Sequence, residues 1–310
     1  MYRVEQPLGP AQILFAYHDD FVVGPTFRWG SNQPLEAWLR RRAELLTYLA
    51  EQHYPAPRVL LSQSGALIAS SQQWNFLVTT YVDGEASVLS PENTFLLGSA
   101  LGQLHGIELP TEESLGFSWW NDTYSIPQAL ETFTSSASSA PLAQRFLCEN
   151  MQKTLHVVQQ RLRDLPEVII HGDCWAPNGI RTGEQSVVLI DWECAGRGAA
   201  ILDLGVLLLR CQYDQFGNIP EEIDTQHIAS VVAGYAQWRH PSPQELDMLL
   251  EAIRFGIIWG GAWIASRATK EGWTPRIERL LTRIQRGYDL AEPVAHFART
   301  SFAQLSSNAK

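Results

Sequence analysis

The stretch His171-Gly172-Asp173-Cys174-Trp175-Ala176-Pro177-Asn178, followed by the apolar run Val187-Val188-Leu189-Ile190 and then Asp191-Trp192-Glu193, constrains this chain more than any other feature. It asks for a loop with two chemistry-bearing side chains, a tight hairpin, and a carboxylate on the end of a strand. The gap from Asn178 to Asp191 fits one such hairpin, with Thr182-Gly183 in its turn. Asp173 is a carboxylate able to hold an attacking hydroxyl. Asn178 is a side-chain amide able to hold a divalent cation, and Asp191 completes that cation's site. Carboxylate, amide and carboxylate in that order are what phosphoryl transfer requires.

The rest of the chain sets bounds on this reading. At 310 residues it suits two lobes better than one. Its first residues, Met1-Tyr2-Arg3-Val4-Glu5-Gln6, have no apolar core behind the one basic residue, so no signal peptide is expected. The longest apolar run, Phe255 to Ala265, is too short to span a bilayer and is flanked by Arg254 and Arg267. A buried helix is expected there, with Gly256, Gly260 and Gly261 admitting a close neighbour. The four cysteines, Cys148, Cys174, Cys194 and Cys211, show no paired or metal-binding spacing, which points to a reducing cytoplasm. Cys174 and Cys194 flank the motif carboxylates and read as small apolar fillers. A formal charge of −10 excludes general nucleic-acid binding, which needs a basic face. The acidity is uneven: residues 1–84 hold 7 acids and 6 bases, and residues 85–310 hold 26 acids and 17 bases.

Periodicity divides the chain in the same place. Ile13 to Tyr17 and Phe21 to Val23 read as strands around the turn His18-Asp19-Asp20. An amphipathic helix enters through Ser31-Asn32-Gln33-Pro34, carries Leu35, Trp38, Leu39, Leu45, Leu46 and Leu49, and stops at Tyr54-Pro55-Ala56-Pro57. Arg58 to Leu61, Ala66 to Ile68 and Phe76 to Val82 read as further strands, and Asp83-Gly84 is the expected hinge. Beyond it the pattern is helical. Pro91 to Ile107 has Gly98 and Gly102 in register for close packing, and Leu142 to Leu165 is a second helix. Ser135 to Ala140 reads as an exposed loop or the start of a helix, Val168 to Ile170 as a short buried strand, and the chain after Asp203 as almost all helix.

With these elements in order, the chain resembles the aminoglycoside phosphotransferase and choline kinase superfamily, small-molecule kinases with a protein-kinase-like fold. The resemblance rests on His171-Gly172-Asp173, Asn178, Ile190-Asp191-Trp192-Glu193, Ala195-Gly196-Arg197-Gly198 and Asp203-Leu204-Gly205. The step from Asp173 to Asn178 equals that of the protein-kinase pattern H-R-D-x-x-x-x-N. Leu101-Gly102-Gln103-Leu104-His105 is similar to the family's helix after the hinge. The resemblance implies an α+β, two-lobed fold. Residues 1–84 would be a nucleotide-binding lobe of antiparallel sheet and one helix, and residues 85–310 a helical lobe with the catalytic loop and acceptor site. Trp192 stands where protein kinases carry the Phe of Asp-Phe-Gly, and the glycine is absent.

The resemblance also implies roles. Gly9-Pro10-Ala11-Gln12 resembles the family's nucleotide loop, with Pro10 and Gln12 departing from its usual glycine and asparagine. Lysine cannot supply the fixed cation of the third strand, since the chain has only Lys153, Lys270 and Lys310. Arg28 is the candidate, with Glu44 as its partner, gripping the α- and β-phosphates. Tyr81 and Val82 would present backbone to the base. Asp173 would be the catalytic carboxylate, with Asn178 and Asp191 holding Mg2+. His171 and Asp203 would brace the loop, and Glu193 would touch metal-bound water or line the site. The expected reaction carries the γ-phosphoryl group of ATP, with GTP as the alternative, to a hydroxyl of a small acceptor, with no nucleic acid or membrane as partner. Glu112, Glu113, Asp122, Glu221, Glu222 and Asp224 favour an amine-bearing acceptor, and Trp119 and Trp120 offer cation–π contacts. Three readings stay open: an aminoglycoside-type kinase, a metabolic kinase for choline, ethanolamine, homoserine or a sugar, and a nucleotide-binding protein without catalysis.

Overall fold

The computed structural model describes residues 1–6, 9–18, 35–110, 142–161, 164–214, 218–271 and 274–308. The strand expected at Phe21 to Val23, the helix start at Ser31 to Pro34, the Ser135 to Ala140 patch, and Arg28, Glu112, Glu113, Trp119, Trp120 and Asp122 all lie outside them.

Strands β1 (Tyr2–Gln6), β2 (Gly9–His18), β3 (Ala69–Ser71) and β4 (Trp74–Thr80) form an antiparallel sheet in the order β1-β2-β4-β3. Opposite Phe15 stands Leu77, and opposite Tyr17 stands Asn75, so the period-two alternation turns Phe15, Tyr17 and Leu77 to one face. Helix α1 (Leu35–Glu51) covers that face with Leu35, Leu39 and Ala43. Its second half turns elsewhere: Leu45, Leu46, Leu49 and the following Tyr54 belong to the large core of the remaining chain. The helix thus pins the sheet to the body below it.

Strand β1 has no counterpart in the sequence reading, β4 spans Trp74–Thr80 where Phe76 to Val82 was expected, and two further segments differ. Arg58 to Leu61 runs along β4 but holds it through one bridge, Val59 to Thr79, because Pro55 and Pro57 remove donors just before it. The strand expected at Ala66 to Ile68 forms at Ala69–Ser71 instead. The turn at Gln72, with φ 55°, sets which residues can face Trp74 to Phe76, and the apolar Ile68 is spent on packing.

After Gly84, β5 (Glu85–Ala86) pairs with β7 (Gly179–Gly183), which pairs with β8 (Ser186–Leu189). The expected hairpin is present, but Thr182 and Gly183 end a strand and the turn lies at Glu184-Gln185, after an irregularity between Arg181 and Gly183. Strand β6 (Glu167–Ile170) pairs with β9 (Gly196–Ala199). The helices are α2 (Pro91–His105), α3 (Leu142–Arg161), α4 (Ala200–Arg210), α5 (Thr225–Ala236), α6 (Pro243–Glu271) and α7 (Pro275–Asn308). Nearly all of α4 is buried, as its mostly apolar sequence requires, with Asp203 the buried exception. Among the described residues no helix is long and apolar enough to cross a membrane.

Helix α2 starts at Ser90, whose Oγ accepts from Asn93 N at 3.2 Å, with Pro91 in the first turn where a missing N–H costs nothing. Its glycines bring it against α5. A methyl group at Gly98 would collide with the Val231 carbonyl, and one at Gly102 would stand 2.6 Å from the Tyr235 carbonyl. Gly98→Ala should therefore destabilise the fold by about 1–3 kcal/mol despite its better helix propensity. Gly106→Ala, where the nearest atom is 3.4 Å away, should stay within about 0.5 kcal/mol of the parent in thermal unfolding.

Candidate active site

The loop after β6 is shaped by one buried carboxylate. Asp203, in the first turn of α4, accepts from His171 N at 2.7 Å and Gly172 N at 3.1 Å. The Oδ2 atom that binds His171 N also faces His105 Nε2 at 3.2 Å. Gly172 holds φ at 79°, the left-handed conformation that lets two successive N–H groups converge on one acid. Behind His105 the chain of bonds continues: its Nδ1 meets Tyr235 Oη at 2.8 Å, Arg239 donates to Tyr235 Oη at 3.1 Å, and Arg239 pairs with Glu245 at 2.6 Å. Burial pulls the His105 pKa below its ordinary value, against the opposing pull of Asp203.

His171 braces the same loop with its ring. Nε2 lies 2.9 Å from the Ile190 carbonyl, and Asp173 N donates to Nδ1 at 3.3 Å. A carbonyl can only accept and an amide N–H can only donate, so this arrangement defines a neutral ring with its proton on Nε2. Trp192, fully buried, packs on that ring at 4.7 Å and edge-on to Tyr54 at 5.9 Å, and its Nε1 donates to Leu189 O at 2.8 Å. The tryptophan ties the loop, β8 and the end of α1 into one packed unit.

Asp173, Asn178 and Asp191 are brought to this point from three short elements. Asn178 closes a single 3-10 turn, Ala176–Asn178, and its Nδ2 donates at 2.9 Å both to the Asp173 carbonyl and to Asp173 Oδ2. With the amide fixed this way, Oδ1 remains without a hydrogen bond among the described residues. Asp191 follows β8 in the left-handed conformation, φ 63° and ψ 61°, which Asp tolerates better than most residues. Its carboxylate likewise accepts no hydrogen bond among the described residues. It opens onto the cleft, yet protein crowds it: partial burial, then Glu193, raise its pKa, with Asp173 adding to the rise, and Arg42 opposing it most strongly. Two hard oxygen donors left open at one place fit a divalent cation such as Mg2+.

Two arginines flank the carboxylates. Arg42 of α1 is 6 % exposed and donates to Glu193 Oε1 at 3.3 Å and to Tyr17 Oη at 3.4 Å, while Tyr17 Oη donates to the same Oε1 at 2.5 Å. Its guanidinium lies 4.1 Å from the Phe15 ring centroid, and Nε is buried without a partner among the described residues. Arg210, in the last turn of α4, approaches Asp173 Oδ1 to 3.2 Å and lies over the Trp175 ring at 4.7 Å.

The structure thus gathers Asp173, Asn178, Asp191, Glu193, His171 and Asp203. On the sheet, Gly9 pairs with Gln6 and Gln12 with Thr80, which places the start of β2 beside the end of β4. Tyr81 N donates to Ala11 O at 3.1 Å, so that donor is taken, whereas the backbone of Val82 makes no hydrogen bond among the described residues. Glu44 is half-buried and forms no ion pair among the described residues. The inward charge of α1 is Arg42. A signal for it existed: 35, 39, 42, 46 and 49 follow the helical stripe, and Arg42 is its one charged member. Arg210 had one as well, standing seven residues after Asp203 on the same helix face. Asp224, read as an acceptor-binding acid, caps α5 by accepting from Gln226 N and His227 N.

The chain is similar to known proteins in sequence and in fold. A family model described as the phosphotransferase enzyme family matches residues 31–249. The chain is 23% identical over 212 residues to the homoserine kinase of Parvibaculum lavamentivorans, which is 66% of this chain and 62% of that protein's length. Among solved structures, it resembles amicoumacin kinase hAmiN in complex with AMP-PNP, Ca2+ and Ami, with a TM-score of 0.69 and 15% identity over 98% of this chain and 88% of that one. The microcompartment-associated aminopropanol kinase gives 0.66 and 17% over 96% and 90%. The fold is the kinase-like α+β fold that the sequence suggested.

The raised Asp191 pKa has a measurable consequence. The native state holds the Asp191 proton more tightly than the unfolded chain does. Its stabilising contribution is therefore present below the unfolded value and is lost as pH rises through the raised native one. At neutral pH the ionised carboxylate opposes folding of the metal-free protein. Asp191→Asn, which keeps a side chain suited to left-handed backbone, should raise the thermal midpoint of metal-free protein at pH 7. The gain should fade as pH is lowered towards 4; a midpoint that falls at pH 7 would contradict it.

Proposed function

The chain belongs to the phosphotransferase enzyme family, and from that membership and the geometry of its cleft we propose that it is an ATP-dependent kinase of a small hydroxylated molecule. The observation that carries the proposal is the loop held by Asp203 and His171, which sets Asp173 against Asn178 with Asp191 beside them. Asp173 orients the acceptor hydroxyl. Its oxygen forms the new bond to the γ-phosphorus, the bond from that phosphorus to the bridging β-oxygen breaks, and ADP leaves. The hydroxyl proton passes to the Asp173 carboxylate late in the step, since a loose transition state demands little prior deprotonation. Asn178 Oδ1 and Asp191 would hold Mg2+, which when bound neutralises charge on the phosphates.

Residues 1–84 would form the nucleotide lobe and residues 85–310 the acceptor lobe. Val82, with its free backbone groups, would meet the base, with Tyr81 beside it. Gly9 and Gln12 would approach the phosphates from β2, and Arg28 with Glu44 would grip them as the family resemblance implies. ATP is favoured over GTP because the structurally similar amicoumacin kinase is bound to an adenine nucleotide analogue. The acceptor is proposed to be an amine-bearing alcohol. The similarity to homoserine kinase and to aminopropanol kinase makes homoserine and short amino alcohols the first compounds to try, ahead of choline, ethanolamine, aminoglycosides and sugars. A reducing cytoplasm suits the thiols of Cys174 and Cys211, which form no disulfide among the described residues.

Asp173→Asn should lower turnover at least about a hundredfold with little change in nucleotide affinity, because the lost group acts on the acceptor. Steady-state ADP release and a nucleotide titration check both halves. Asp191→Ala should abolish the magnesium-dependent part of nucleotide binding, read by titration with and without Mg2+; equal magnesium dependence in parent and variant would remove Asp191 from the metal site.

A further inference from the structure

The cation beside Asp173 is not explained by phosphoryl transfer alone. Arg210 stands 3.2 Å from Asp173 Oδ1, the atom left over once Oδ2 is bound by Asn178. A resting ion pair there competes with the acceptor hydroxyl for the carboxylate that must receive it. Arg210 has the means to leave: its side chain is 31% exposed and makes no side-chain hydrogen bond among the described residues. The Trp175 ring under its plane, at 4.7 Å, fixes the guanidinium while leaving its N–H edges open.

We propose that the acceptor carries a carboxylate as well as its hydroxyl, and that Arg210, stacked on Trp175, is the residue that reads it. The inference rests on the kinase reading above and narrows its acceptor to short hydroxy acids and hydroxy amino acids. On binding, the acceptor's carboxylate takes the planar, bidentate face of the guanidinium, and Asp173 Oδ1 passes from Arg210 to the hydroxyl. Anion recognition and release of Asp173 are then one event. The acidity of the lobe does not oppose this. Charges beyond about 10 Å are screened at ordinary ionic strength, and what an acceptor meets at Asp173 is Arg210. A polycationic antibiotic would place like charges against it.

Three compounds separate the parts of such an acceptor. Homoserine has hydroxyl, amine and carboxylate; 3-aminopropan-1-ol lacks only the carboxylate; 4-hydroxybutyrate lacks only the amine. Calorimetric titration of the full chain loaded with AMP-PNP and Mg2+ should show both acids binding at least about tenfold tighter than the amino alcohol, a difference of about 1.4 kcal/mol. Arg210→Gln should weaken both acids about tenfold or more and the amino alcohol far less, and Arg210→Lys should recover part of the loss. ADP release should rank the three in the same order, with the variant's defect in KM rather than kcat. The inference is overturned if the amino alcohol binds as well as the acids, if neither acid binds below about 10 mM, or if Arg210→Gln weakens all three alike. The last result would make Arg210 a positioning residue for Asp173. Selective acid binding without ADP release from any acceptor would sink the kinase reading and leave the carboxylate site standing.

Discussion

The bond from Asp203 to the backbone of His171 and Gly172 is the one on which the rest of the site depends. A loop has no ladder to fix it, and a loop that carries catalytic groups must still be held to a fraction of an ångström. Here the fixing group is an acid with 0% exposure, and its acceptors are filled by two backbone donors and one imidazole. Such an acid is costly to bury unless every lone pair is used. The relay behind it runs through His105 and Tyr235 to the Arg239–Glu245 ion pair, so the buried polar groups are satisfied without a lone cation in the core. The close approach of α2 to α5, made by Gly98, Gly102 and Gly234, is what brings His105 and Tyr235 within reach of each other. Loop geometry thus depends on glycines two helices away.

Much of this was legible in the sequence, and the reason is the shortness of the spacings. Asp173 and Asn178, Asn178 and Asp191, and Gly98 and Gly102 are each bound by local geometry, so a turn, a hairpin or a helix face fixes their relation. The hairpin was legible while its turn was not: Thr182-Gly183 has the more turn-like composition, but the pairing of Gly183 with Ser186 moves the reversal to Glu184-Gln185. The strand at Ala69–Ser71 was displaced for a related reason, because a left-handed Gln72 decided the register and no apolar run announces that.

What the sequence concealed were pairings across long separations. Arg42 meets Glu193 across 151 residues, and periodicity could mark Arg42 as inward-facing without saying what it faces. Arg28, the expected partner of Glu44, lies outside the described residues; the same helix also presents a base inward, Arg42, and the acid it meets comes from beyond Asp191. The ion pair therefore joins α1 to the segment that follows β8. Tyr17, on β2, bonds the same Glu193 oxygen and ties the sheet to that junction.

Charge balance explains why the two arginines belong where they are. Asp173, Asp191 and Glu193 lie close enough that Asp191 responds to both of the others, and three crowded carboxylates would repel one another. Arg42 from α1 meets Glu193, and Arg210 from α4 meets Asp173. Asp191 forms no ion pair among the described residues, and burial, then the charge of Glu193, push its pKa upward. A site built this way is incomplete by roughly one positive charge in the absence of a ligand. A divalent cation would more than fill that deficit and turn the cleft positive, which is the sign a triphosphate requires. The left-handed backbone at Asp191 belongs to the same arrangement. It ends the β8 ladder just before Asp191, whose carboxylate accepts no hydrogen bond among the described residues and so stays available.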